Sequence, residues 1–182
     1  MLGTTEDDLL LGLGLARADL DGPLIEPRQF RTALGAFATG VTVITALSRE
    51  GRPFGVTVNS FASLSLDPPL VLWSLASHST SFTAFTEVRR FAIHVLCEGQ
   101  EDLGRQFARS GIDRFNGLVL DKGIDETPLL PNVAAVFECR NLYRYWGGDH
   151  AIFIGRVDRF EHWPDRKPLV FHEGRMKRLE EK

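Results

Sequence analysis

Two stretches rich in apolar and β-branched residues, Ala134 to Tyr145 and His150 to His162, are separated only by Trp146-Gly147-Gly148-Asp149. Paired glycines followed by aspartate are a strong tight-turn signal between strand-like runs. The pattern predicts one long antiparallel hairpin. Other runs read the same way. Val41 to Leu47 is β-branched, Arg49-Glu50-Gly51-Arg52-Pro53 is a turn, and Phe54 to Val58 pairs back as a second hairpin. Leu70 to Leu75 is a continuous apolar run, expected to be buried on both faces. Phe91 to Cys97 and Leu169 to His172 complete the strands.

The predicted helices are short. Pro27 suits a first helical turn, Phe30, Leu34 and Phe37 follow at helical spacing, and Gly40 is a stop signal. Ser79 or Thr80 is expected to cap a helix carrying Phe82, Phe85 and Val88. Glu101 to Arg109 is a third helix, ended by Gly111, and Gly111 to Pro131 reads mostly as loop. Few, short helices against at least six strands favour a closed antiparallel barrel with helical decorations over a doubly wound sheet. Residues 1–25 differ in composition, being rich in Leu, Gly and Asp and ending near Gly22-Pro23. They read as an N-terminal arm, either packed on a partner subunit or disordered, with Leu9, Leu10, Leu13 and Leu20 on one face of a short helix.

The chain of 182 residues is long enough for one domain with a sizeable core. Its net charge of -3 does not favour nucleic acid or an anionic membrane as a partner. The apolar stretch Leu9 to Leu15 follows Glu6, Asp7 and Asp8 and lacks a basic n-region, so it reads as neither signal peptide nor membrane span. Cys97 and Cys139 lie far apart in strand-like runs, which suits buried thiols in a reducing compartment. A cytoplasmic protein is expected.

The chemistry-bearing segment lies between the apolar strands Gly55 to Val58 and Leu70 to Leu75. Thr57, Asn59, Ser60, Ser63 and Ser65 crowd it with hydroxyls and one amide, and it holds no Lys, Arg or His. The loop Thr57 to Ser65 reads either as a connection whose side chains bond their own backbone, or as a cradle of neutral groups at a barrel rim. Downstream, Ser77-His78-Ser79-Thr80-Ser81-Phe82 begins a helix, where free backbone N–H groups attract a phosphate. The five histidines sit in separate elements, so their spacing supports no metal site. Gly12-Leu13-Gly14 lacks the third glycine and the preceding strand of a dinucleotide fingerprint. His150 reads as a solvated histidine beside a turn, or as one that orients a second substrate over the cradle.

In this order, several of these segments resemble the flavin reductase-like family, whose members are small reductase components of two-component flavin monooxygenases. The matching residues are Phe30 to Thr39 with Gly40-Val41-Thr42-Val43, Gly55 to Phe61 with Ser63-Leu64-Ser65, and Pro68-Pro69-Leu70-Val71. They continue with Ser79 to Phe82, Asp113-Arg114-Phe115, Gly148-Asp149-His150, Ile154-Gly155-Arg156-Val157 and Pro168 to Arg175. The resemblance covers about Pro27 to Leu179. It implies a mainly β fold, a six-stranded antiparallel split β-barrel of Greek-key type that binds FMN, with short flanking helices, over residues 26–182. It also implies that Thr57, Val58, Asn59, Ser60 and Ser65 hold the polar edge of a flavin. Ser74 and Leu75 would line the ring, and Ser79, Ser81 and Phe82 would lie by the ribityl phosphate. His150, as the catalytic residue, and Arg175 would lie where reduced nicotinamide enters. Many relatives carry an aromatic residue after the position of Arg175, where this chain has Met176.

The activity so implied is NAD(P)H:flavin oxidoreduction by hydride transfer to flavin N5, with reduced flavin supplied to a separate oxygenase component by a homodimer. Such chemistry needs stacking and positioning more than a protein acid, base or nucleophile. FMN or FAD, NADH or NADPH, and bound or diffusing flavin all remain open at this level. Competing readings are a non-catalytic flavin carrier of the same fold, a split-barrel oxidase of another small molecule, and a structural barrel.

Overall fold

A computed structural model describes residues 24–179. The expected apolar face of Leu9, Leu10, Leu13 and Leu20 lies outside the described residues. The described residues fall into two units, 24–34 and 35–179. In the first, helix α1 spans Pro27–Leu34, with the Glu26 carboxylate accepting from the Arg28 and Gln29 amides. It does not run on to Gly40, because Gly35 follows Leu34 and an interior glycine costs a helix about 1 kcal/mol.

The second unit is mainly β. Its strands are β1 (Thr39–Gly40), β2 (Thr42–Leu47), β3 (Pro53–Val58), β4 (Ala62–Leu66), β5 (Pro69–Ala76) and β6 (Arg90–Val95). They are followed by β7 (Asp121–Lys122), β8 (Pro128–Leu129), β9 (Ala135–Gly147), β10 (His150–His162), β11 (Val170–His172) and β12 (Arg175–Lys177). Helix α2 (Phe82–Glu87) lies between β5 and β6, and α3 (Glu101–Ala108) follows β6. The main sheet is antiparallel in the order β3-β2-β6-β9-β10-β5-β4, and a small sheet orders β1-β11-β12. The main sheet therefore has seven strands rather than the expected six. The addition is β4, which replaces half of the expected loop Thr57 to Ser65. It is an edge strand with Ser63 exposed and Ser65 half-buried, so it resembles a loop in composition.

The main sheet is not closed by hydrogen bonds, since β3 and β4 are its two edges. Yet only Asn59, Ser60 and Phe61 join Val58 of β3 to Ala62 of β4. Three linking residues keep Val58 and Ala62 within about 13–14 Å of each other, so the sheet must curl enough to bring the end of β3 near the start of β4. The result is a split barrel with a three-residue seam.

Its interior holds Ile44, Val56, Val71, Trp73, Phe85, Phe91 and Phe153. Trp73 stacks on Phe153 at 4.5 Å between centroids and meets Phe85 and Phe91 edge-on. A second core lies on the other face of the sheet, where Val41, Val43, Ala92, Leu96 and Phe107 meet Leu130, Val136 and Leu169. Burial on both faces thus belongs to β2 and β6. It does not belong to β5, where Val71, Trp73 and Leu75 are buried and Leu70, Leu72, Ser74 and Ala76 are half-buried. Cys139 is buried, Cys97 half-buried, and both are free thiols. Among the described residues no helix is long and apolar enough to cross a membrane.

Candidate functional site

The seam is held by one side chain. Ser60 Oγ donates to the Ser74 carbonyl at 3.1 Å and accepts from the Ser74 amide at 2.9 Å, continuing the β4–β5 ladder by one pair. Ser60 and Ser74, far apart in sequence, are thereby in direct contact, with Asn59 exposed beside them. Thr57 sits on β3, and its hydroxyl donates to the Gly104 carbonyl of α3 at 2.7 Å. The Val58 side chain packs against the barrel interior, as does that of Leu75, which is buried. The polar groups that Val58 and Leu75 can offer a ligand are therefore those of the backbone. Ser65 is half-buried on β4, just past a register shift.

The other side of the rim is built by β10. Its register places His150 against Ala76 and Ile152 against Ser74, and the Ser77 amide donates to the Asp149 carbonyl. The turn Gly148-Asp149 thus sits beside the end of β5. His150 Nδ1 lies 2.7 Å from Asp149 Oδ1, an arrangement that places the ring proton on Nδ1 and leaves Nε2 for another partner. The same contact holds the Asp149 carboxyl below its ordinary range. Trp146, legible in sequence only as a turn residue, packs on Phe82 at 5.4 Å between centroids. Phe82 in turn closes over the barrel interior.

The segment before α2 is more self-contained than its sequence suggests. Ser81, not Ser79 or Thr80, is the N-cap, and its side chain makes no cap hydrogen bond. The helix has only six residues. The Ser79 amide donates to Ala76, the Ser81 amide to Ser79 Oγ, the Phe82 amide to Ser79 and the Phe85 amide to Ser81. These donors are engaged, whereas the amides of Thr80, Thr83 and Ala84 have no hydrogen-bond partner among the described residues, so part of the expected array of free N–H groups remains. Arg114 also marks this turn. Its Nη1 donates to Ser81 Oγ at 2.9 Å and to the Gly55 carbonyl at 2.6 Å, while Nε donates to the Arg109 carbonyl at 2.7 Å. A stretch that holds no Lys or Arg in sequence therefore acquires a guanidinium from a loop 33 residues beyond Ser81. The motif Asp113-Arg114-Phe115 was the only signal for it.

Arg175 is not part of this group. It is exposed on β12, paired with His172 in the small sheet, and among the described residues no hydrogen bond joins it to the rim. Met176 turns into the second core, where its thioether lies over Gly104.

The rim thus has three parts, a seam of small neutral groups, an aromatic wall of Phe82 and Trp146, and a hydroxyl turn touched by a guanidinium. That donor set suits a planar heteroaromatic ring with a polar edge and an anionic tail, which is the chemistry of a flavin nucleotide.

Comparison with known proteins agrees. Residues 34–180 match the family described as "Flavin reductase like domain". The FMN reductase (NADH) SmoA of Agrobacterium fabrum is 50% identical over 149 residues, covering 81% of this chain and 83% of its own. The reductase component of the flavin-dependent trigonelline monooxygenase of Acinetobacter baylyi is 46% identical over 133 residues, 73% of this chain. This chain spans only 43% of that longer protein. Among solved structures, the NADH:FAD oxidoreductase SgcE6 of Streptomyces globisporus superposes with a TM-score of 0.80 at 37% identity, covering 88% of this chain and 99% of its own. The chain belongs to the flavin reductase-like family.

Proposed function

We propose that the protein is an NADH-dependent flavin reductase that binds FMN or FAD at the seam and delivers reduced flavin to a separate monooxygenase component. The observation that carries this reading is the Ser60–Ser74 clasp. It fixes the three-residue link between two strand edges and gathers small neutral groups there. Bound flavin would supply an acceptor for hydride from reduced nicotinamide, a transfer whose demand on the protein is alignment.

Each residue has a part in this reading. The backbone of Thr57 and Val58, with Asn59, Ser60 and Ser65, holds the polar edge of the ring. Backbone groups of Ser74 and Leu75 lie along it. Phe82 closes one end, with Ser79 and Ser81 by the phosphate. His150, oriented by Asp149, contacts the nicotinamide through Nε2, and Arg175 belongs to the nicotinamide side. The relatives' names support NADH as donor and include both FMN and FAD as acceptor. A separate oxygenase partner is supported by relatives that are reductase components of monooxygenases. A homodimer is supported by the apolar side chains left exposed on β4, β9 and β10, Leu66, Tyr143 and Phe160 among them.

The test is loss of NADH or NADPH absorbance at about 340 nm with purified protein and added FMN or FAD. Flavin-dependent oxidation well above the protein-free rate, faster with NADH, is expected. Flavin binding without oxidation would point to a carrier instead. His150→Ala is expected to raise KM for NADH by about tenfold with flavin affinity unchanged, the size of one lost polar contact.

A further inference from the structure

The hydroxyls of Ser79 and Ser81 share an unusual position. Each accepts a hydrogen bond from the chain, Ser79 Oγ from the Ser81 amide and Ser81 Oγ from Arg114 Nη1. Among the described residues neither donates one. A hydroxyl whose oxygen accepts from N–H turns its own proton away from that donor, so neither proton is used by the described residues, with Ser79 half-buried and Ser81 buried.

Arg114 is itself uncompensated. It is half-buried, and burial pushes its guanidinium below the ordinary range. Among the described residues no carboxylate lies within ion-pairing distance of it; Asp113 beside it accepts from the Phe115 amide instead. Nη2 has no hydrogen-bond partner among the described residues. Arg114 also lines a cleft of about 220 Å³ together with Pro53, Phe54, Thr80 and Phe115. Burying a cation without an anion is costly, and a ligand that brings the anion recovers that cost.

We propose that Arg114 is the positioning residue for the phosphate end of the flavin nucleotide, fixing the Ser81 hydroxyl as a donor and making the site select phosphorylated flavins over riboflavin. This rests on the flavin reading above. The ligand class is a ring-bearing phosphate ester, shared by FMN and FAD. Arg114 need not touch the ring, and its charge is conveyed through Ser81 and the cleft. The competing role is purely structural, a clamp that ties the loop carrying Arg109 and Arg114 to β3 through the Gly55 carbonyl.

The experiment is a set of dissociation constants for FMN and for riboflavin by flavin fluorescence quenching, on the full chain without nicotinamide. The variants are Arg114→Met, Arg114→Lys, Ser81→Ala and the double variant Ser81→Ala/Arg114→Met. The unmodified protein is expected to prefer FMN. Arg114→Met should weaken FMN by about tenfold or more and riboflavin by less than about twofold, since a charge-assisted contact is lost only where the phosphate exists. Ser81→Ala should shrink the same preference, and the double variant should be no worse than Arg114→Met alone. Arg114→Lys should restore part of the preference by restoring charge.

Equal weakening of FMN and riboflavin by Arg114→Met would make the residue a clamp and overturn the proposal. So would an unchanged FMN constant, or a Ser81→Ala preference equal to that of the unmodified protein. If Arg114→Met does not fold, the Ser81→Ala ratio decides. An unmodified protein that binds both flavins equally would overturn the phosphate role while leaving the flavin reading intact. One that binds neither would overturn both.

Discussion

His94 shows how a single residue can link folding to pH. It lies on β6 with no exposed surface, on the sheet face shared with Ala92 and Leu96. Nδ1 is 3.0 Å from the Val43 carbonyl, and Nε2 is buried without a partner. Burial drives its pKa from 6.5 down to about 4, opposed only by the Val43 contact. The folded protein thus holds His94 neutral, while the unfolded chain takes up a proton below about 6.5. Stability from this group is complete above the unfolded value and is lost as pH falls from about 6.5 to about 4. At about 1.4 kcal/mol per tenfold in proton affinity, the loss amounts to about 3 kcal/mol. Urea unfolding of the unmodified protein and of His94→Gln at pH 7 and pH 5 checks this. The variant is expected to be less stable at pH 7 and to lose less between the two, and parallel losses would refute the assignment.

Elements depend on where the chain leaves side chains out. Strand β10 shifts register against β9 between Ile154 and Gly155. A Cβ on Gly155 would lie 2.5 Å from Phe91 Cζ and 3.0 Å from the Cys139 Cβ. Phe91 is fully buried and held edge-on by Trp73, so it has little room to yield. Gly155→Ala is expected to destabilise by about 1–3 kcal/mol, the usual penalty of overpacking, and to lower Tm by roughly 3–10 °C. Calorimetry against the unmodified protein measures it, and a Tm within about 1 °C would show that the barrel wall relaxes there. Gly155 appears in the sequence as one residue of Ile154-Gly155-Arg156-Val157, with nothing local to say why a side chain is missing. The Gly148-Asp149 turn is different. Its geometry is set by the two residues themselves, and the hairpin was legible from them. Strand β4 was not, because an exposed edge strand carries no burial pattern to read. The helix before Gly40 was overextended for a related reason. Apolar spacing continued through Phe37 while the backbone had already left the helix at Gly35.

At the scale of the whole molecule, two cores share one sheet, and part of that sheet's surface remains apolar. Leu64 and Leu66 on β4, Leu142, Tyr143, Tyr145 and Trp146 on β9, and Phe160 on β10 are all exposed by 39% or more. Exposure of so many large apolar groups on strands of one sheet is atypical of a monomer, and the proposed homodimer would cover them. Light scattering after gel filtration is expected to give twice the 20.3 kDa chain mass, and a monomer across concentrations would remove the dimer from the reading. The amino-acid sequence alone determines the strand-rich class, the long hairpin, the starts of α1 and α3 and the order of motifs that identifies the family. Those properties depend on spacing within about a dozen residues, and neighbouring residues carry the information. The tertiary structure alone decides two things: that Ser60 clasps Ser74 and that Arg114 reaches Ser81. Each is a contact between segments whose separation along the chain leaves no periodic trace. Only the curl of the sheet, set by the packing of Trp73, Phe85 and Phe153 inside it, brings them within hydrogen-bonding distance.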